Sequence, residues 1–273
     1  MTIAGSSNDS VTDNAPLVSS SSLQNKLAVI FCTKNCEKTI ADAISSAKKS
    51  RLFRESNGMI IVIDGFSNDN TRQVAKEAGA TSVIEQPDNK FPGKGVAMKA
   101  GLEAAIKAEV DAIVFLDGDI KNLTQEWIDL LSEPVLSRGY DMTRGYYDRQ
   151  PRDAAVTKLI AKPMLSVFFP ELRNFEQPLS GEVCASTKAW KGLLTKTEPP
   201  PDGWGIDVWF LINAAMSGYK IEEVFLGKKD HLSFNEYKEN VGILSKMAEQ
   251  VCFTILKEAV NYGKFDLHKH VDI

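Results

Sequence analysis

The chain has 273 residues, 43% hydrophobic and 25% charged, with 18 Gly and 11 Pro. These fractions are ordinary for a soluble globular protein and exclude collagen-like, coiled-coil and wholly disordered chains. Lys and Arg number 32 against 36 Asp and Glu, a net charge of −4. That balance excludes a wholesale basic surface for nucleic acid but leaves room for a local basic pocket for a phosphorylated ligand.

Residues 1–25 are rich in Ser and carry neither a basic nor an apolar leader pattern, so a disordered tail is expected there. From Lys26 the pattern changes. Leu27–Phe31 is a short apolar run, the mark of a strand buried on both faces, followed by a polar turn at Thr33–Asn35 and a helix over about Lys38–Ser50. Met59–Ile63 predicts a second strand, ending at Asp64-Gly65. Ser67–Asn70 can then cap a helix over Thr71–Gly79. Thr81–Glu85 reads as a short third strand, Gln86–Gly95 as a loop and Val96–Ala108 as a helix. Ala112–Leu116 is a fourth buried strand, running into Asp117-Gly118-Asp119. Strand and helix alternate about every 25–30 residues, which predicts a doubly wound, parallel α/β sheet.

Beyond Asn122 the regularity decays. Helices are expected near Gln125–Arg138, Ala155–Phe168 and Ile206–Ser217, with a Pro-rich loop at Glu198–Asp202. A strand at Lys220–Leu226 leads to Asp230-His231, and an amphipathic helix spans about Glu236–Tyr262. The four cysteines are too scattered for a disulfide framework, and Cys32-x-x-x-Cys36 lacks the second ligand pair of a metal site. No run approaches the ~18 apolar residues of a membrane span, and a reducing, cytoplasmic setting is expected.

The chemistry-bearing residues fall at the carboxyl ends of strands, where open α/β sheets bind ligands. Asp117 and Asp119 repel each other unless a cation neutralises them, and paired carboxylates of this kind suit Mg²⁺ or Mn²⁺ bridged to phosphates. An Asp-x-Asp triplet by itself is as readily a solvated turn; its position after four apolar residues shifts the balance. Asp64 can accept from a base imide or ribose, or simply organise its own turn. Lys94, between Gly93 and Gly95 at a helix start, can bring an ammonium and backbone amides to a diphosphate, although the spacing is not that of a Walker loop. His231 stands alone after the late strand, where a structural role is the ordinary one.

Four segments in order, Leu27–Glu37, Ile61–Thr71, Pro92–Gly101 and Phe115–Asn122, resemble the donor half of GT-A glycosyltransferases. Gln177–Glu182 (QPLSGE), Gly203–Asp207 (GWGID) and Asp230-His231 resemble the retaining glucosyl-3-phosphoglycerate and mannosyl-3-phosphoglycerate synthases in particular. The resemblance implies a GT-A fold, a mostly parallel sheet flanked by helices. It divides the chain into a tail (1–25), a nucleotide-sugar donor lobe (26–122), an acceptor and catalytic lobe (123–235) and a C-terminal helix and tail (236–273).

The implied activity is metal-dependent hexosyl transfer from a nucleotide sugar of the UDP-glucose or GDP-mannose type to a small anionic acceptor such as 3-phosphoglycerate, with retention. Asp119 and His231 would ligate Mg²⁺ or Mn²⁺. Thr33, Glu37, Asp64, Lys94, Asp117 and Gly118 would hold the nucleotide sugar. Leu179, Ser180 and Asp207 would form the sugar pocket and catalytic face, and Arg144, Arg149, Arg152 and Thr157 the acceptor site. A homodimer is kept as an expectation, with no nucleic acid and no membrane span. Two departures stand out: Ala154–Thr157 replaces a Gly-Arg-Val-Thr segment that grips the acceptor's anionic groups, and Asp207 replaces a Glu. The alternatives are an inverting polyprenyl-phosphate or other sugar transferase on the same fold, a phosphoaspartyl phosphatase, and a non-catalytic nucleotide binder.

Overall fold

Alternate residues of strand β1 (Leu27–Thr33) enter different apolar clusters. Leu27, Val29 and Phe31 pack on one face of the sheet, and Ala28 and Ile30 on the other. A strand with both faces buried has no polar position to offer, which is why it reads as an unbroken apolar run. β2 (Met59–Asp64) and β4 (Ala112–Asp117) behave in the same way and flank β1 in parallel register. A computed structural model describes residues 25–90, 93–149, 154–232 and 241–266. The expected tail, Arg152, the start of the last helix and the terminal histidines His268 and His270 lie outside them.

β3 (Ser82–Glu85), β5 (Met142–Asp148), β6 (Val183–Ser186) and β7 (Ile221–Lys228) complete a seven-stranded sheet of order β3-β2-β1-β4-β6-β5-β7. β6 runs antiparallel to both β4 and β5, while β5 and β7 are parallel. The sheet is therefore mostly parallel with one reversed strand, rather than uniformly parallel. β5 and β6 escape the sequence pattern for physical reasons: β5 carries Arg144 and Gly145 in its middle, and β6 is four residues long. The helix that follows β6, Thr187–Leu194, is likewise absent from the sequence reading.

The helices of the first half are α1 (Ile40–Lys49), α2 (Arg51–Glu55), α3 (Thr71–Glu77) and α4 (Lys94–Lys107). Those of the second half are α5 (Gln125–Ser137), α6 (Lys162–Phe168), α7 (Thr187–Leu194), α8 (Ile206–Met216) and α9 (Val241–Asn261). The expected helix over Ala155–Phe168 is present without a break, and a π-helical turn, Thr157–Ala161, lies within it ahead of α6; such turns are frequent where a helix serves a site. A third apolar cluster joins α6, α8 and α9 through Leu165, Leu211, Ile212 and Ile255. Trp190 of α7 packs edge-on to Phe115 and Phe210 and donates its indole N–H to the Ile113 carbonyl at 3.2 Å, tying the second half to the central strand.

Candidate active site

The carboxyl ends of β1 and β4 open onto a cavity of about 610 Å³, well within the size of small-ligand sites. Its wall includes Thr33, Lys94, Asp117, Gly118, Asp119, Thr157, Leu179, Asp207 and His231 from the expected set, and Arg149 as well. Residues more than a hundred positions apart meet here because two polar segments are laced together. The Lys121 N–H donates to the Asp230 carbonyl at 2.9 Å, and the Leu232 N–H to the Asp119 carbonyl at 3.0 Å. Asn122 closes the joint by accepting from the Asp230 N–H at 2.8 Å and donating to the Lys228 carbonyl at 2.6 Å. The result sets His231 Nδ1 3.6 Å from Asp119 Oδ2.

Backbone proximity explains the glycines. A Cβ on Gly118 would come within 2.5 Å of Thr33 Cγ2, and one on Gly181 within 2.6 Å of Lys94 Nζ and 2.7 Å of Asp117 Oδ1. Gly181 thus lets the Gln177–Glu182 turn lie directly against the charged centre.

That centre is an ion network. Lys94 Nζ lies 2.8 Å from Asp207 Oδ2 and 3.3 Å from Asp117 Oδ1. Lys229, absent from the sequence reading, lies 3.0 Å from Asp117 Oδ2 and 2.7 Å from Glu182 Oε1, with its ammonium 5.0 Å from the centre of the Tyr147 ring. Burial on its own would raise the Asp117 pKa, but the two ammoniums outweigh it and hold this carboxyl far below the usual range. Burial likewise disfavours the charged forms of Lys94 and Lys229, yet their carboxylate partners keep both well above an ordinary lysine. Asp207 goes the other way: burial dominates, and its carboxyl is raised despite Lys94. Asp119 is lowered, its burial offset by the hydrogen bond to His231. The signal for Lys229 was a Lys-Lys pair at the end of a strand, two residues before His231; without the fold it reads as a solvated edge.

Asp119 and His231 offer an oxygen and an imidazole nitrogen to the same cavity, a donor pair suited to Mg²⁺ or Mn²⁺. Among the described residues no three Asp, Glu, His or Cys side chains converge as a ready-made cage. The pair therefore fits a cation whose remaining ligands come from phosphate oxygens and water. Cys32 and Cys36 also line the cavity, but burial pushes the Cys32 thiol up to about 12 and Cys36 higher still, so neither offers a thiolate.

Four expected site residues are placed differently. Asp64 is fully buried and off the cavity wall: it accepts from Ser67 N–H at 3.0 Å, Ser67 Oγ at 2.6 Å and Thr33 Oγ1 at 3.3 Å, so it organises its own turn. Glu37 accepts from the Asn70 N–H at 3.1 Å and is outside the wall. Ser180 is buried behind Leu179, its hydroxyl donating to Glu182 Oε2 at 3.1 Å. Arg144, expected to bind acceptor, is wholly buried and donates to the carbonyls of Ser180 and Pro178 at 2.7 and 3.3 Å. In each case a nearby polar partner engages at least part of the group. Arg149 does reach the cavity, stacked 4.8 Å over the Tyr147 ring with Nη2 donating to its hydroxyl at 2.7 Å.

Residues 82–254 match the family model "Mannosylglycerate synthase, GT domain". The glucosyl-3-phosphoglycerate synthase of Petrotoga mobilis is 32% identical over 91% of this chain and 79% of its own length. The crystal structure of the Mycobacterium tuberculosis glucosyl-3-phosphoglycerate synthase, in complex with Mn²⁺, UDP and phosphoglyceric acid, superimposes with a TM-score of 0.71. It is 30% identical, covering 86% of this chain and 78% of that one. A plant relative, the mannosylglycerate synthase of Selaginella moellendorffii, is 30% identical over 49% of this chain and 32% of its own length. With the strand-end Asp-Gly-Asp, the His231 bridge and this sheet order already in view, the chain belongs to the GT-A glycosyltransferases of the glucosyl- and mannosyl-3-phosphoglycerate synthase type.

Proposed function

We propose that the protein transfers a hexose from a nucleotide sugar, of the UDP-glucose or GDP-mannose type, to a small anionic acceptor resembling 3-phosphoglycerate, with retention at the anomeric carbon. The observation that carries this is the meeting of Asp119 and His231 beside the Lys94–Asp117–Lys229 network on one cavity wall. Solved structures of the M. tuberculosis enzyme with Mn²⁺, UDP-glucose and phosphoglyceric acid support the same substrate classes. A cytoplasmic setting belongs to this proposal; among the described residues no helix is long and apolar enough to cross a membrane.

Asp119 and His231 would hold the divalent ion, which supplies Lewis-acid neutralisation of the departing diphosphate. Lys94 is the first residue of α4, and its ammonium would face the same diphosphate, while the Val96 N–H in that turn is taken by the Asp202 carbonyl at 3.1 Å. Binding the donor would draw Lys94 from Asp207 towards phosphate oxygens, freeing that carboxylate to accept from the sugar. Leu179 packs on the sugar and limits water. The anomeric C–O bond breaks with its electron pair leaving on the diphosphate. The acceptor hydroxyl attacks from that same face and passes its proton to a diphosphate oxygen, giving retention without a base on the opposite side. Arg149 and Thr157 would hold the acceptor's anionic end, Arg149 standing in for the guanidinium that Ala155 lacks.

Other residues of the cavity wall favour a second reading of the acceptor. Val156, Trp204, Leu244 and Met247 form an apolar wall, suited to an acceptor phosphate carried on a hydrocarbon body, as in the lipid-phosphate sugar transferases. Product analysis separates them. UDP-, GDP- and ADP-sugars with Mn²⁺ are incubated with 3-phosphoglycerate, glycerate, glycerol phosphate and a short polyprenyl phosphate, and the product's anomeric coupling is read by NMR. Transfer to an acid with retained configuration supports the first reading; transfer to the polyprenyl phosphate alone replaces it with the second.

A further inference from the structure

Arg144 lies in the middle of β5, wholly buried, with no side-chain atom on the cavity wall. Only Nη2 is engaged, through the carbonyls of Ser180 and Pro178. Nε and Nη1 are buried and have no hydrogen-bond partner. Two acceptors nearby share that condition, Asp207 Oδ1 and Gln177 Oε1. Donors and acceptors of opposite sign, all orphaned, are rare in native interiors. Where they occur together, a buried water with two to four polar partners is the usual resolution.

The two carbonyls that Arg144 holds bracket Leu179, which lines the cavity. The same turn is held by Glu223, which pairs in register with Arg144 from the neighbouring strand β7 and whose carboxylate accepts from the N–H groups of Glu176 at 2.8 Å and Gln177 at 3.0 Å. Asp207 also lines the cavity, and it is the carboxylate with the largest Coulombic hold on the guanidinium. Leu179 and Asp207 are the pair that the proposed mechanism sets against the donor hexose, and Arg144 stands behind both.

We propose that Arg144 is a positioning residue for donor-sugar selection. Its Nη2 fixes the height of Leu179 through the Pro178 and Ser180 carbonyls. Its open N–H groups fix Asp207 through one buried water shared with Gln177 Oε1. A planar fork reaches both from fixed positions; a lysine ammonium gathers its three donors on one atom at the end of a flexible stem. The inference rests on the proposed sugar pocket and adds that its selectivity is set from behind the wall.

The test is calorimetry in Mn²⁺ on wild type, Arg144→Lys and Arg144→Met, after checking their folding by circular dichroism and melting. The titrants are UDP or GDP, whichever binds, and its glucosyl, galactosyl and mannosyl esters. The expected result is nucleoside diphosphate affinity within twofold of wild type in both variants. Affinity for the preferred sugar ester should fall at least tenfold, and the preference among hexoses should collapse. An intact hexose preference in a folded variant overturns the proposal. So does an equal loss for diphosphate and esters, or failure of both variants to fold, since either marks a purely structural guanidinium. A wild type that binds the diphosphates but prefers no hexose overturns it too. A wild type that binds none of these ligands overturns instead the donor reading beneath it.

Discussion

The β1–β4 edge and the wall built from β5, β6, α8 and β7 are assembled by different rules. In the first, each polar group follows its own strand and bonds to the neighbouring turn, as Asp64 does with Ser67 and Thr33. In the second, buried ions from distant segments pair with one another: Lys229 with Asp117 and Lys94 with Asp207. The first wall is a set of separate hydrogen bonds, each able to survive the loss of another. The second is one shared network, and a network with buried charge fails as a unit when one member is removed.

The largest effect expected is on function, at the joint between the two walls. Asp119→Ala should remain folded yet abolish metal-dependent donor binding, read as loss of the calorimetric signal for nucleotide sugar with Mn²⁺. His231→Ala should cost less, on the order of 10–100-fold, because a neutral imidazole carries no Coulombic share. Unchanged donor affinity in Asp119→Ala would remove the metal from the proposal.

The comparison itself is sharpened by stability. Lys229→Met leaves Glu182 and Asp117 with one buried cation fewer and should destabilise by about 3–5 kcal/mol. Lys229→Met with Glu182→Gln should recover much of that. Asp64→Asn in the first wall should cost only about 1–3 kcal/mol, as a hydrogen-bond loss. Equal costs in chemical denaturation would erase the distinction.

The pH dependence follows with its sign. Asp117 has a folded pKa below its unfolded one, so its contribution is present above the ordinary carboxylate range and is lost as pH falls through the folded value. Lys94 and Lys229 have raised values, so theirs is full below the ordinary lysine pKa and is lost only as pH rises through the folded ones. Between those limits these three groups leave melting temperature steady, while the raised carboxyl of Asp207 takes away some stability as pH rises from the ordinary carboxylate value through its folded one. In Lys229→Met the acid fall should begin at a higher pH, because Asp117 has lost one of the two cations that depress it.

A smaller effect is expected at the acceptor end. Arg149→Ala should raise KM for an anionic acceptor about 10–100-fold, the worth of a charge-assisted bond, with donor KM unchanged. Smallest of all is Ala154→Gly. Ala154 has φ +63°, a left-handed conformation that costs a Cβ about 1–2 kcal/mol. The added chain entropy of glycine offsets part of that, so a gain of at most about 1 kcal/mol in melting experiments is expected.

Amino-acid order alone determined the four strands of the first half and three of its four helices, the Asp117-Gly118-Asp119 turn at a strand end, and the candidacy of Lys94 and His231. Those signals are local: an apolar run buried on both faces, a glycine-flanked helix start, carboxylates placed after a strand. Only the tertiary structure decided that β6 runs backwards between β4 and β5, that Lys229 joins the ion network on the cavity wall, and that Asp64 and Arg144 are buried in hydrogen bonds to other parts of the chain. The reason is the same throughout. Whether a charged side chain meets water, a ligand or another side chain depends on which distant segment arrives beside it, and nothing within a few residues of Lys229 or Arg144 encodes the arrival of Glu182 or Ser180.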